Sequence, residues 1–152
     1  MSSPKSVGDF GEYLAAAYLS LVDEVTTVLV VPHGASADII FEYQLQLYRC
    51  QVKTATKIEK TRLNWRFDLR RGLNAKDRTY KENSVDLFAL VSLEHQNIVF
   101  VLPQPKNQLT ITNEHMKNND ALKNLQNISF IGFSKDVSTF IGISLKKCLR
   151  PC

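Results

Sequence analysis

Apolar positions recur at helical spacing in the opening stretch of the chain. Val7, Phe10, Leu14, Ala17, Tyr18 and Leu21 fall on one face over residues 6–22, which predicts an amphipathic helix. Ser6 is placed to be its N-cap, with Asp9 in the first turn, where a carboxylate favours the helix dipole. Gly8 and Gly11 leave room for another element to approach closely. The pattern then changes. Residues 25–31 form an apolar, β-branched run stopped by Pro32, which predicts a strand covered on both faces. Residues 38–41 and 47–54 read as the two strands of a hairpin. Its turn falls near Tyr43-Gln44-Leu45, which lacks the Gly or Asn that a tight turn prefers. Residues 64–69 alternate, with Trp65, Phe67 and Leu69 on one side and Arg66 and Asp68 on the other. Residues 85–93 and 97–102 form a second apolar pair, ended by Pro103. Past Pro103 the signals weaken. A short helix is expected over residues 119–126, with Asp120 near its start, and a last one from residue 134 or 136 to 147. A helix, then strands, then short helices predict an α/β or α+β domain around one mixed sheet.

The length of 152 residues fits one domain. Apolar residues at 44% and charged residues at 22% are ordinary for a soluble globular chain. No apolar run reaches the roughly 18 residues needed to cross a bilayer. The first residues hold one basic side chain, Lys5, and no apolar segment of the signal-peptide kind, so an intracellular, cytoplasmic location is expected. Cys50, Cys148 and Cys152 are odd in number and form no CxxC or Cys/His cluster. They read as reduced thiols, which excludes a disulfide scaffold and a zinc module. His33, His95 and His115 are scattered without metal-ligand spacing and read as solvated loop or edge residues.

Charge changes the picture more. The net charge of +4 is unevenly spread: residues 46–81 carry eleven basic side chains against Glu59, Asp68 and Asp77, giving +8 there and −4 elsewhere. A basic stretch on an otherwise acidic chain points to a polyanion partner, the other reading being a solvated charged loop.

Asp38, Gln51 and Lys53 carry the candidate chemistry. Alternate residues of a strand share a face, so Gln51 and Lys53 point the same way. If the hairpin turns about Gln44-Leu45, Asp38 lies across from Gln51, with Cβ atoms about 5 Å apart. An acid, an amide oxygen and an ammonium then meet at one spot. Phosphodiester hydrolysis uses those types. A carboxylate and neighbouring carbonyl oxygens hold Mg²⁺, a hard cation that takes few protein ligands. A bound metal activates water and neutralises phosphate charge, and a lysine beside it stabilises that charge. Glu12 sits on the helix among Ala15, Ala16 and Leu19. A carboxylate in so apolar a patch needs a partner, either a metal cluster on the facing sheet or a nearby basic residue.

The runs Gly8-Asp9-Phe10-Gly11-Glu12, Ser36-Ala37-Asp38-Ile39-Ile40 and Cys50-Gln51-Val52-Lys53-Thr54-Ala55 resemble the PD-(D/E)xK nucleases. The likeness is to the branch holding group I intron-encoded homing endonucleases and relatives of archaeal Holliday junction resolvases. Val85-Asp86-Leu87-Phe88-Ala89 after Tyr80, and the strand from Ile98 to Pro103, fit the same branch. The resemblance covers about the first hundred residues. It implies a restriction-endonuclease-like fold, a central mixed sheet flanked by helices, with one domain over residues 1–152 and its core at about 5–103. It implies Glu12 as the helix glutamate, Asp38 as the metal-binding aspartate and Lys53 as the catalytic lysine. The metal set is then Asp38, Gln51, Glu12 and the main chain of Val52, with Mg²⁺ as the ion and Mn²⁺ as a substitute. Gln51 stands where most of the family has Asp or Glu; its amide oxygen brings no negative charge, though some active homing members resemble this chain there. Residue 37 is Ala rather than the motif's Pro. Asp86 is read as either a structural or a catalytic acid. Lys57, Arg62, Arg66, Arg70 and Arg71 are the expected contacts to double-stranded DNA, and Trp65 and Phe67 are read as core. The implied function is a sequence-specific homing endonuclease, with a junction resolvase or a non-cleaving DNA binder as alternatives. The implied assembly is a homo-oligomer, a tetramer rather than a dimer.

Overall fold

The structure is a computed structural model that describes residues 3–32, 35–72, 79–81 and 84–132, with side chains described as far as residue 128. The expected helix over residues 134 or 136 to 147, together with His33, Cys148 and Cys152, lies outside the described residues.

The opening helix, α1, runs Pro4–Leu19. It starts two residues earlier than its apolar spacing predicts. Ser3, not Ser6, is the N-cap: its Oγ accepts from the Ser6 N–H at 3.2 Å. Pro4 follows, suited to a first turn whose N–H groups have no helical partner. Asp9 consequently falls beyond the first turn. The buried face is Gly11, Ala15 and Leu19, while Ala17 and Leu21 are exposed. Phe10, Leu14 and Tyr18 flank that face, half-buried against the core.

Five strands make the main sheet: β1 (Val25–Val30), β2 (Ile39–Tyr43), β3 (Gln46–Ala55), β5 (Leu87–Ser92) and β6 (Asn97–Val101). Their order across the sheet is β1-β2-β3-β5-β6. The pairs are antiparallel except β3 with β5, which run parallel. The β2–β3 hairpin turns through Gln44 and Leu45 alone, at φ 49° and 65°. The tight turn thus forms with both residues left-handed and no Gly or Asn. A sixth strand, β4 (Asn64–Asp68), pairs with β7 (Gln108–Thr112) in a separate two-stranded sheet. β7 follows the weak-signal region after Pro103, as does helix α2 (Asn113–Asn118), and both escaped the periodicity reading. The last described helix, α3, runs Ala121–Gly132.

Two cores hold these layers together. One lies between the sheet and the helix layer and includes Ala15, Leu19, Ile39, Phe41, Cys50, Leu87, Ala89, Phe100 and Leu125. The other lies beneath β5 and β6 and is closed by the small sheet and α2, through Trp65, Phe67, Phe88, Leu90, Val99 and Met116. Trp65 and Phe67 are therefore core, as read from the sequence. β5 is the strand covered on both faces, with all six residues buried. β1, expected in that role, is an edge strand whose Thr26, Thr27 and Leu29 are exposed. Its β-branched run suits any half-covered strand, so composition alone did not separate edge from centre. The other edge, β6, has its outward main chain met by side chains. Asn124 binds the Phe100 N–H and C=O at 2.7 and 3.2 Å, and Asn119 Nδ2 donates to the Ile98 carbonyl at 2.7 Å.

α1 crosses β3 at Gly11. A Cβ there would stand 2.0 Å from Thr54 Oγ1 and 3.3 Å from Val52 Cγ1. Rotating Thr54 moves its hydroxyl away but leaves its Cβ at 3.3 Å, so the site stays tight. Gly11→Ala is expected to cost about 1–3 kcal/mol through overpacking. Adding Thr54→Ala should recover most of it. Chemical denaturation of the two variants checks this; a Gly11→Ala chain as stable as wild type would refute the close crossing.

Candidate active site

The hairpin register brings the first two site residues together. Pairing of β2 with β3 sets Ile39 against Cys50. The Asp38 N–H donates to the Cys50 carbonyl at 3.2 Å, so Asp38 continues the ladder opposite Gln51. The two side chains touch: Asp38 Oδ2 accepts from Gln51 Nε2, and also from the Val52 N–H at 2.8 Å. Because β2 ends at Ile39, the edge of β3 at Val52 looks past the end of its neighbour. In a strand the N–H and C=O of one residue point to the same side, so the Val52 carbonyl faces the same gap as Asp38.

Lys53 projects from the same face of β3 as Gln51. Its Nζ donates to the Arg70 carbonyl at 2.6 Å and to the Tyr80 hydroxyl at 3.3 Å. It also stands 5.5 Å from the centre of the Tyr80 ring. Tyr80 packs edge-on against Phe88 of the second core at 5.8 Å. Burial pushes the Tyr80 hydroxyl up to about 12, with the Asp38 charge adding to the rise and Arg71 opposing it. Asp38 is thus near enough for its charge to be felt at Tyr80.

Glu12 is half-buried on α1, next to Gly11 and hence beside β3. It approaches from the helix layer, whereas Gln51 and Lys53 project from the opposite face of the strand. The structure brings Asp38, Gln51, Val52 and Lys53 to one place, and sets Glu12 across β3 from the two side chains Gln51 and Lys53. Among the described residues no group of three or more His, Cys, Asp and Glu side chains is arranged to hold a metal ion. A cation at Asp38 would also meet the Val52 carbonyl, and the Gln51 amide oxygen once that amide is turned, since its Nε2 now faces Asp38. Such a hard-oxygen set with few charges fits Mg²⁺, which keeps several waters, and does not fit a zinc site.

Asp86 makes structural hydrogen bonds. Its Oδ2 accepts from the Arg49 N–H at 2.7 Å and its own N–H donates to the Arg49 carbonyl at 2.9 Å, tying the start of β5 to β3. The buried Cys50 thiol is pushed far up by burial, with Asp38 and Asp86 adding to the rise, so it stays protonated as a core residue. His95 is half-buried rather than solvated. Its Nε2 meets Asn113 Oδ1 at 2.7 Å, and that oxygen also accepts from Trp65 Nε1 at 2.9 Å. His115 is exposed.

The basic residues divide in two. Lys57, Arg62, Arg66 and Arg71 are exposed. Lys53, Lys57, Arg66 and Asp68 line one groove that runs from the site along the β3–β4 junction. Arg66 is braced by Gln108, whose Oε1 accepts from its Nε and NH2 group at 3.1 and 2.6 Å. Arg70 differs: it is half-buried, and its guanidinium grips Asp68 through two bonds of 2.9 Å. Sequence reasoning missed Tyr80 and the Asp68–Arg70 pair as neighbours of Lys53. Tyr80 had no motif of its own, and Asp68 and Arg70 looked like members of a charge run.

A mixed sheet with α1 laid across β3, and an acid, an amide and a lysine on one hairpin, define a restriction-endonuclease-like nuclease fold. A family model, PD-(D/E)XK endonuclease, matches residues 2–129, and the chain belongs to that family; nuclease activity is what this membership supports. The match extends beyond Pro103 to cover β7, α2 and most of α3. In overall structure the chain is similar to a bacterial homing endonuclease, I-Ssp6803I, with a TM-score of 0.65 at 21% identity, over 88% of this chain and 98% of that one. No curated protein matches the chain in sequence. No helix among the described residues is long and apolar enough to cross a membrane.

Proposed function

We propose that this chain is a Mg²⁺-dependent, sequence-specific endonuclease of the homing type that hydrolyses phosphodiester bonds in double-stranded DNA, with Mn²⁺ able to substitute. The observation that carries the reading is the contact of Asp38 with Gln51 and the Val52 main chain, with Lys53 next along the same strand face. Asp38, the Gln51 amide oxygen and the Val52 carbonyl would hold the metal, with Glu12 reaching the same gap from the helix side. The bound ion would supply an activated water and charge neutralisation at the phosphate. Lys53 places its ammonium where charge develops on that phosphate. The chain is read as one domain, with an intracellular location.

The amide at position 51 gives a direct test. Gln51→Ala is expected to weaken metal-dependent cleavage, raising the Mg²⁺ needed for half-maximal rate. Gln51→Glu keeps an oxygen in place and adds charge, so it should retain metal-dependent cleavage with a changed Mg²⁺ requirement. Full activity of Gln51→Ala throughout a Mg²⁺ titration would make the residue a bystander.

DNA is expected to lie along the Lys53–Lys57–Arg66 groove, with Arg62 and Arg71 on its flanks. Each phosphate contact removed should lower the log–log salt slope of binding by about one unit. Arg62→Ala and Arg66→Ala, titrated against a duplex at several salt concentrations, should show that drop. Unchanged affinity and slope in both would move the interface elsewhere. One site cuts one strand, so a double-strand break calls for at least two subunits, and symmetric assembly is the common solution. A homotetramer is proposed over a dimer; a mass measurement in solution, alone and with DNA, decides it.

A further inference from the structure

A carboxylate sits at the end of β4. Asp68 closes that strand opposite Gln108 of β7. Its Oδ1 accepts from both the N–H and the Nε of Arg70, each at 2.9 Å, and its Oδ2 accepts from an Arg70 NH2 group at 2.9 Å. Arg70 is thereby held by main chain and side chain at once. Between them, the Leu69 N–H donates to the Asn107 carbonyl at 2.9 Å, and the Leu69 side chain is buried. The carbonyl that this clamp presents is the one that accepts from Lys53 Nζ at 2.6 Å. The second acceptor, the Tyr80 hydroxyl, is fixed by the packing of its ring against Phe88. Burial keeps that hydroxyl protonated at any ordinary assay pH.

A lysine ammonium rides on a flexible four-carbon stem and has no preferred direction of its own. Transition-state stabilisation requires the charge to be in place beforehand. We infer that Asp68, Arg70 and Tyr80 are positioning residues for Lys53: the Asp68–Arg70 clamp sets the Arg70 carbonyl, the Tyr80 hydroxyl provides the second acceptor, and together they aim the ammonium at the phosphate beside Asp38. This deepens the nuclease reading and rests on Lys53 being catalytic. It also reassigns Arg70, whose guanidinium is turned to a carboxylate, from an expected DNA contact to part of the site's framework.

The experiment measures two quantities for wild type, Tyr80→Phe, Arg70→Lys and Lys53→Ala: the cleavage rate at saturating protein with Mg²⁺, and duplex affinity in Ca²⁺. Tyr80→Phe preserves the ring and its packing, so it reports on the hydroxyl even if Arg70→Lys loosens the fold. Misplacing the ammonium should slow the saturated rate about tenfold or more in both variants while affinity stays within about twofold, the mark of an interaction used in the transition state. Wild-type saturated rates in Tyr80→Phe and Arg70→Lys, beside an inactive Lys53→Ala, would overturn the positioning role and leave the nuclease reading standing. Weaker binding with an unchanged saturated rate in Arg70→Lys would return Arg70 to the DNA interface and overturn its part. A Lys53→Ala chain that cuts at the wild-type rate would remove the reading beneath both.

Discussion

Asp38→Ala is expected to stop DNA cleavage, with a loss of at least about a thousandfold, because it removes the carboxylate proposed to hold the metal. The same carboxylate has a structural duty. It accepts the Val52 N–H at 2.8 Å and the Gln51 amide. Deleting it orphans a main-chain donor at a half-buried place, which should lower stability by about 1–3 kcal/mol. Loss of activity could then be blamed on a loosened hairpin, and Asp38→Asn separates the two effects. The asparagine oxygen still accepts the Val52 N–H, so this variant should melt close to wild type. It lacks the negative charge that draws a hard cation, so it should be as inactive as the alanine variant. Thermal melts and single-turnover nicking, run side by side, check both halves. A well-folded Asp38→Asn chain that cuts at the wild-type rate would remove Asp38 from the chemistry.

Lys53→Ala should lower the saturated cleavage rate by about 10²–10³-fold, the usual consequence of removing one preorganised charge from a developing oxyanion. Binding should survive, because most phosphate contacts are assigned to the exposed residues Lys57, Arg62, Arg66 and Arg71. Lys53→Arg is not expected to restore the rate. The guanidinium is planar and forked, whereas the Arg70 carbonyl and the Tyr80 hydroxyl are set for a compact ammonium at 2.6 and 3.3 Å. Rates near wild type in Lys53→Ala, or full rescue by arginine, would show that position-specific charge at residue 53 is not used.

The residues that the sequence paired are the ones the fold brings together, for a specific reason. Asp38 and Gln51 lie equally far from Gln44-Leu45, and a two-residue turn there converts chain distance into spatial contact. That turn was legible despite its unusual residues, because a one-residue slip of the pairing would turn Phe41 and Tyr48 outward. The location of the double-sided strand was not legible. β1 and β5 are both apolar runs, and which is central depends on the parallel pairing of β3 with β5, a contact across more than thirty residues. β7 was hidden because Gln108–Thr112 carries only Leu109 and Ile111 on its inner side. The environment of Lys53 was hidden for a similar reason. The Arg70 carbonyl and the Tyr80 hydroxyl converge on it from the segment after β4 and from a loop, and no spacing rule along the chain relates them. Ser3 as N-cap shows the smaller error of reading a helix start from its first apolar residue: Pro4 was the better signal.

Asp38, Gln51 and Val52 are proposed to hold a metal with which this chain cuts DNA. The most direct test is supercoiled plasmid carrying the chain's target, incubated with the wild-type protein in Mg²⁺, in Mn²⁺ and in EDTA, and resolved into supercoiled, nicked and linear forms. Nicked and then linear DNA is expected in either metal, and none in EDTA. Tight, salt-sensitive binding to the plasmid with no strand cut in either metal, or equal cutting with the metal chelated, would contradict it.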